Sequence, residues 1–108
     1  MYKFHISGYF LSIISTICSG FKILSSFNFE AQCHSVFQNV KIILEESGSS
    51  WENLVDITVF LVDMKRDFQT FNKIYAEYFN DNQPCRTTVA IDSLPTPIAI
   101  ELKCIATI

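Results

Sequence analysis

Two charged residues near the end of the chain lie in runs that are otherwise typical of β-strands. Arg86 lies in the run Cys85–Ile91, and Glu101 lies in the run Ile98–Ala106. The guanidinium of an arginine has five donors in a rigid planar fork that fits a carboxylate, and it stays charged at any working pH. We therefore interpret the pair as the polar groups of one pocket, on which both side chains converge.

Alternation along the two runs predicts which side chains share a face of the sheet. In the first run, Arg86 shares a face with Thr88 and Ala90. In the second run, Glu101 shares a face with Lys103. An ion pair of Glu101 with Arg86 or with Lys103 is the structural alternative to a binding site. The apolar face of the second run consists of Ile98, Ile100, Leu102, Cys104 and Ala106.

The composition limits the functions that this chain can have. Its 108 residues are enough for one domain with a modest core. The net charge is −3, and Lys65–Arg66 is the one pair of adjacent basic residues. A nucleic-acid-binding surface needs a basic stripe, so no nucleic-acid partner is predicted. Hydrophobic residues make up 49% of the chain, which predicts that an oligomer interface covers part of the apolar surface.

The cysteines and histidines do not follow a metal-binding pattern. The four cysteines lack the paired spacing of a zinc site, and neighbours on a helix, such as Cys33 and His34, point about 100° apart. We predict no metal site. Buried free thiols suit a reducing compartment, which favours the cytoplasm. His34 is predicted to lie on the solvated outer side of its helix. The cysteines are Cys18, Cys33, Cys85 and Cys104.

The first part of the chain, up to Ser26, differs in character from the rest. The segment Ile6–Cys18 is apolar but too short to span a bilayer, so no membrane partner is predicted. We expect strands at about Tyr9–Ile17 and Phe21–Leu24, joined at Ser19–Gly20. A targeting segment for export and a disordered segment are the two alternatives.

From Phe29 onward, hydrophobic periodicity predicts alternating helices and strands. An amphipathic helix starts at Phe29 with Asn28 as its N-cap, and Gly48 ends it. The strand Leu54–Val62 is largely apolar on both faces, so helices must cover one face and another layer or subunit the other. A second amphipathic helix ends before Pro84. The order (β)β-α-β-α-β-β predicts an α+β fold, a single mixed sheet with two helices on one face. The inward residues of the second helix are Phe68, Phe71, Tyr75, Tyr78 and Phe79.

The part of the chain from Phe29 to Ala106 resembles the RidA family, which is also called YjgF or L-PSP. The 15-residue step from Arg86 to Glu101 fits the family signature without gaps. Within the family, the chain is most similar to the branch that contains 2-aminomuconate deaminase. The Pro-Tyr-Ser segment with which family members open is missing, so we interpret 1–108 as one domain with an atypical segment, 1–26, before a family-like core, 27–108. The motifs that carry the resemblance are Pro84-Cys85-Arg86-Thr87-Thr88-Val89, Leu94-Pro95, Ile100-Glu101-Leu102 and Ile105-Ala106.

The resemblance implies a fold, an assembly and an activity. Family members have a chorismate-mutase-like α+β fold and form homotrimers with pockets between subunits. The implied activity is hydrolysis of a 2-imino acid, or of 2-aminomuconate, to the oxo acid and ammonia. No cofactor is expected, because the imine is already electrophilic. By the same resemblance, Arg86 would bind the substrate's carboxylate and Glu101 would activate water and relay protons. Thr88 would hydrogen-bond the ligand or water, and Asn72 would shape the pocket wall.

Two other functions are compatible with the same fold. The first is a non-catalytic trimeric protein that binds a ligand or a partner. The second is RNA cleavage, which has been attached to this family. The acidic net charge and the lack of a basic groove disfavour it, because RNA binding depends on neutralising phosphates. Release of ammonia from a 2-imino acid separates the enzyme from the binding protein.

Overall fold

A computed structural model describes residues 2–7, 10–15, 28–94 and 98–108 of this chain. A single 3₁₀ turn, Trp51–Asn53, leads into the third strand. The chain follows the predicted order of elements, with two strands before the first helix and two after the second. These elements are β1 (Tyr2–Ser7), β2 (Phe10–Ser15), α1 (Phe29–Glu46), β3 (Leu54–Leu61), α2 (Met64–Tyr78), β4 (Cys85–Ala90) and β5 (Ile100–Thr107).

The five strands form one mixed sheet in the order β1-β2-β5-β3-β4. All neighbouring strands pair antiparallel except β3 and β4, which are parallel because α2 carries the chain back between them. The strand β4 therefore lies at one edge of the sheet, and β1 lies at the other. The predicted mixed sheet is confirmed.

Both helices pack on the same face of the sheet. In β3, the side chains of Ile57, Val59 and Leu61 point toward the helices and are each at most 1% exposed. The opposite face lacks a covering element within the described part of the chain, so the layer or subunit that the apolar pattern of β3 predicts there stays a prediction. Two helices on one face of a mixed sheet confirm the α+β prediction. In β5, the residues on the helix side are Ile100, Leu102, Cys104 and Ala106, none more than 1% exposed.

The two ends of α1 form as the sequence predicts. The side-chain oxygen of Asn28 accepts a hydrogen bond from the backbone N–H of Ala31 at 3.0 Å, which caps the first turn. Gly48, just after the C-cap Ser47, has a φ of +84°, in the left-handed region that ends many helices. A Cβ atom added at Gly48 would meet no atom within 4 Å.

The backbone conformation of Gly48 predicts how substitutions at this position change the stability of the fold. Gly48→Ala is expected to lower the free energy of unfolding by about 1 kcal/mol, because alanine disfavours positive φ and no clash contributes. Gly48→Asn is the matched control and should lose less, because asparagine tolerates this region. Urea unfolding of the three proteins measures the difference. Equal losses in both variants would mean that the conformation of Gly48 is not the cause.

The N-terminal strands differ from the prediction. The expected strand Tyr9–Ile17 contains β2, whereas the expected strand Phe21–Leu24 and the turn at Ser19–Gly20 lie outside the described residues. The strand β1 was missed. Its sequence alternates apolar and polar residues with a period of two, and it pairs with β2 from Tyr2 opposite Ser15 to Ser7 opposite Phe10.

An aromatic cluster joins the two helices. Phe37 of α1 is 1% exposed, and its ring stacks on Tyr78 with 4.6 Å between centroids. Trp51 stacks on Phe79 at 4.7 Å, and the indole N–H of Trp51 donates to the backbone oxygen of Tyr78 at 3.0 Å. The predicted inward residues of α2 are confirmed for Phe71 and Phe79, which are 0% and 4% exposed. The other predicted residues of this face are partly buried.

The prediction for His34 is wrong. His34 is only partly exposed, and its Nδ1 lies 2.8 Å from the hydroxyl oxygen of Tyr78 in a hydrogen bond between α1 and α2. The rings of the two residues are 5.6 Å apart. The reason is that Tyr78, the last residue of α2, contacts the outer side of α1. The hydrophobic period of α1 alone does not reveal this contact.

Candidate functional site

Arg86 is held against the inner face of α2. One guanidinium nitrogen, Nη1, donates a hydrogen bond to the side-chain oxygen of Asn72 at 2.8 Å. The guanidinium carbon lies 4.8 Å from the ring centroid of Tyr75, 5.5 Å from that of Phe71 and 6.0 Å from that of Phe68. An aromatic face attracts a cation at these distances. We call these three rings the aromatic wall.

The register of the parallel pair explains why Arg86 faces the helix. Arg86 lies opposite Ile57 of β3, whose side chain is buried beneath the helices. Because β4 is an edge strand, the same position is open to solvent, and Arg86 is an exposed residue. Apart from the bond to Asn72, the guanidinium has no hydrogen bond or ion pair within the described part of the chain. Donors therefore remain available for a ligand.

Thr88 lies on the same face as Arg86, as the alternation predicted. Thr88 is opposite Val59 in β3, two residues along β4 from Arg86, which corresponds to roughly 6.6 Å. Its hydroxyl oxygen is buried and has no hydrogen-bond partner among the described residues. A buried hydroxyl without a partner is unfavourable, so we expect this atom to form a hydrogen bond with a group outside the described residues, such as water or a ligand.

Glu101 lies on the other face of the sheet. It is opposite Phe60 in β3, and Phe60 points away from the helices, whereas Ile57 and Arg86 point toward them. Arg86 and Glu101 of the same chain therefore do not converge on one pocket, and a pocket that uses both residues stays a prediction for two neighbouring chains. The structural alternative, an ion pair between Arg86 and Glu101, is also absent from the described part of the chain.

Glu101 is partly buried, although neither α1 nor α2 covers its face of the sheet. Removal from water raises the pKa of its carboxyl group above the usual value of 4.5. The nearest cation along the strand is Lys103, which shares the face but forms no ion pair with Glu101 in the described part of the chain. A carboxyl group with a raised pKa exchanges protons more readily near neutral pH than an ordinary glutamate does.

The raised pKa predicts that Glu101→Gln stabilises the fold at neutral pH. Because the folded-state pKa of Glu101 exceeds its unfolded value, the folded state binds the proton more tightly, and stability falls as pH rises through this window. Below the unfolded pKa of 4.5 the two proteins should be equally stable. Above the folded pKa, the glutamine variant should be the more stable one. Thermal unfolding across this pH range measures the gap, and a gap that shrinks with rising pH contradicts the prediction.

Asn72 contacts Arg86 directly. It lies on α2 between Phe71 and Tyr75, and its side-chain oxygen accepts the hydrogen bond from Arg86. The sequence prediction placed Asn72 in the pocket wall without specifying its partner. The hydrogen bond makes Asn72 a positioning residue for the guanidinium, because it fixes one edge of the fork and leaves the other free.

The aromatic wall was not recognised as part of a site from the sequence. Phe68, Phe71 and Tyr75 were assigned to the inward face of α2, and their contacts with Arg86 depend on the pairing of β4 with β3. A signal was present: the strand–helix–strand order places the strand after α2 beside β3, beneath α2. The wall, Asn72 and Arg86 together form a site that can hold a small carboxylate.

Neither helix in the described part of the chain is both long enough and apolar enough to cross a membrane.

Comparison with known proteins identifies a matching family and several relatives. Residues 17–108 match the family model described as Endoribonuclease L-PSP. The mitochondrial protein Mmf1 of Saccharomyces cerevisiae is 47% identical over 75 residues, which are 69% of this chain and 51% of Mmf1. The chloroplastic Reactive Intermediate Deaminase A of Arabidopsis thaliana is 40% identical over 79 residues, which are 73% of this chain and 42% of that protein. The chain thus spans about half the length of these relatives.

Solved structures have the same fold. The crystal structure of yeast Mmf1 matches with a TM-score of 0.87 and 34% identity, and the match covers 96% of this chain and 83% of Mmf1. The crystal structure of Escherichia coli TdcF with bound serine matches with a TM-score of 0.85 and 25% identity, and covers 97% of this chain and 85% of TdcF. The five-stranded sheet with two helices on one face is thus a known arrangement.

Proposed function

Since the chain belongs to the endoribonuclease L-PSP family, also called RidA or YjgF, we propose that it is an imine/enamine deaminase. Its substrate would be a reactive 2-imino acid or 2-aminomuconate, and its products the 2-oxo acid and ammonia. The name of the Arabidopsis relative, Reactive Intermediate Deaminase A, supports this class of reaction. The observation that carries the proposal is the guanidinium of Arg86, which is fixed on one edge and open on the other.

In this proposal, Arg86 binds the carboxylate of the substrate. A charge-assisted hydrogen bond contributes roughly 1.5–3 kcal/mol, and a fork can make two of them to one carboxylate. Asn72 and the aromatic wall hold the guanidinium in place, so little side-chain entropy is lost on binding. The presence of serine, an amino acid with a carboxylate, in the TdcF structure supports a binding site of this kind.

Glu101 would manage water and protons, and in this proposal it comes from another subunit. Within one chain it faces away from Arg86 across the sheet, so one ligand cannot contact both. The uncovered face of the sheet bears the half-buried apolar side chains of Phe60, Val89 and Ile105, together with Glu101. A neighbouring subunit of a homotrimer that packs on this face would carry Glu101 to the Arg86 edge of the next chain.

The chemistry needs one water molecule and a proton relay that works twice. In the first stage, Glu101 accepts a proton from water as the oxygen attacks the imine carbon and returns it to the nitrogen, which gives a neutral carbinolamine. In the second stage, Glu101 accepts the proton of the carbinolamine hydroxyl and passes it to the nitrogen as the carbon–nitrogen bond breaks, so the carbonyl forms and ammonia leaves. The raised pKa of Glu101 suits both stages. The free hydroxyl of Thr88 would hydrogen-bond the water or the ligand. No cofactor takes part in these steps.

An assay of ammonia release tests the proposed function. An amino acid oxidase generates the 2-imino acid in the assay mixture, where it hydrolyses slowly by itself. The wild-type protein is expected to accelerate this release of ammonia. Glu101→Gln should reduce the acceleration by about 10²–10⁴-fold, the range of general acid–base catalysis. Equal ammonia release with and without the wild-type protein refutes the deaminase.

A second candidate is a non-catalytic trimeric protein that binds 2-oxo or 2-imino acids. The separation of Arg86 from Glu101 within a chain favours it, because binding a carboxylate requires only the Arg86 edge. Saturable binding of a 2-oxo acid without any turnover would support this candidate. We favour both candidates over RNA cleavage, the activity named in the family description, because the net charge is −3.

We also propose that the protein acts in the cytoplasm. Cys33 and Cys104 are buried free thiols, and burial raises the pKa of each to about 12, which makes them unreactive. Cys85 is an exposed free thiol, which persists most easily in a reducing compartment. N-terminal sequencing of the mature protein from its own cells checks this, because an exported chain would lack the first residues.

A further inference from the structure

A cleft of about 380 Å³ opens beside Arg86, and Asn72 is not among its lining residues. Its apolar lining comes from the end of α2 and from the connection between α2 and β4. Phe79 is 4% exposed and stacks on Tyr75 with 4.4 Å between centroids, and Tyr75 in turn contacts the guanidinium of Arg86. Ala76 and Pro84 complete this apolar lining.

The charge of the cleft is that of Arg86 alone. The polar side chains in its lining, Asn80 and Gln83, are uncharged, and the described residues contribute no carboxylate and no second cation to the cleft. Burial raises the pKa of the Tyr75 hydroxyl, and this effect outweighs the opposing effect of Arg86, so that hydroxyl stays neutral. A ligand held by Arg86 therefore meets an uncharged, largely apolar surface next to its carboxylate.

We infer that this cleft is a side-chain subsite, which selects 2-imino and 2-oxo acids with one carboxylate and an apolar or aromatic side chain. The carboxylate binds Arg86, and the side chain lies along Tyr75 toward Phe79. The inference depends on the proposed role of Arg86 as the carboxylate anchor. A volume of about 380 Å³ falls in the range of small-molecule sites, and it exceeds what a methyl side chain fills.

The subsite disfavours a second carboxylate on the ligand. A charged group that enters an apolar cleft without a partner loses its hydration and gains nothing in return. Of the two proposed substrates, a 2-imino acid with an apolar side chain is thus favoured over 2-aminomuconate, which has two carboxylates.

Ala76 is the specificity-determining residue of the subsite. It is exposed on α2 and lines the cleft with a methyl group, so a large side chain there would occupy the space for the ligand's side chain. Ala76→Trp fills the cleft without removing Arg86, Tyr75 or Asn72. Lys73→Trp, at an exposed position of the same helix outside the cleft, is the matched control.

Calorimetric titration with stable 2-oxo acids tests the subsite independently of turnover. Wild type should bind phenylpyruvate at least about tenfold more tightly than pyruvate, because a phenyl ring becomes buried, and more tightly than 2-oxoglutarate. Ala76→Trp should remove most of the preference for phenylpyruvate over pyruvate, and Lys73→Trp should keep it. The affinity ratio, and not the absolute affinity, is the readout, so a general loss of stability does not imitate the effect.

Three outcomes overturn the inference. They are equal affinities of wild type for phenylpyruvate and pyruvate, tightest binding of 2-oxoglutarate, and an unchanged ratio in Ala76→Trp. The deaminase fails separately: a wild-type protein that prefers phenylpyruvate in this way but releases no ammonia has the subsite without the activity. Loss of all binding in Arg86→Ala links the subsite to its anchor.

Discussion

Replacement of Arg86 by alanine is expected to lower kcat/KM for a 2-imino acid by about 10²–10⁴-fold. Two charge-assisted hydrogen bonds to the carboxylate, at roughly 1.5–3 kcal/mol each, correspond to this range. The fold should tolerate the change, because Arg86 is exposed on the edge strand β4 and contributes only weak contacts with the aromatic wall. Ammonia release at several substrate concentrations measures the loss.

Two further variants separate the role of the planar guanidinium of Arg86 from the role of its positive charge. Arg86→Lys keeps the positive charge but cannot form the bidentate pair, so its kcat/KM should fall between those of wild type and Arg86→Ala. Lys65→Ala removes an exposed cation from the first turn of α2, away from the site, and should have no effect. If Arg86→Ala retains full activity, or if Lys65→Ala loses as much, the carboxylate anchor is not Arg86.

Mixed oligomers of two inactive variants are expected to recover activity. Arg86→Ala and Glu101→Gln each destroy one half of the site, and in the proposed assembly the two halves belong to different subunits. When the variants are co-expressed and mix at random, about a quarter of the sites combine an intact Arg86 with an intact Glu101. Activity should therefore rise from near zero in each variant alone to about a quarter of the wild-type value.

The control for this recovery is a chain that carries both Arg86→Ala and Glu101→Gln and is expressed alone. It has no intact half to contribute and should stay inactive under the same conditions. If co-expression of the single variants restores nothing while they form joint oligomers, Glu101 does not act on a ligand bound to a neighbour's Arg86. The opposite faces of Arg86 and Glu101 would then rule out their cooperation altogether.

The regular elements were predictable because each carries a local signal. The period of α1 and the cap residues Asn28 and Gly48 define a helix without reference to the rest of the chain. The strand β3 follows from a β-branched, apolar run of suitable length. The strand β1 carries an equally clear alternation, but Lys3 and His5 ahead of an apolar run are also compatible with a targeting segment.

The relative orientation of two strands was not predictable in the same way. Alternation gives the two faces of each strand, but it does not say which face the helices cover. In β5 the apolar face lies under the helices, where Leu102 is buried. In β4 the helix side carries Arg86 instead, and Val89, opposite Phe60, points away. The proposed subunit contact would cover Val89 on that face.

The arrangement of β3, α2 and β4 has a consequence for how this family can diversify. Arg86, Asn72, Tyr75 and the cleft all lie between Leu54 and Ala90, in one uninterrupted part of the gene product. The proposed carboxylate anchor would thereby be inherited as a block, whereas Glu101 lies on a strand outside it. Under this proposal, changes near either terminus would alter assembly or turnover and leave the capacity to hold the ligand intact.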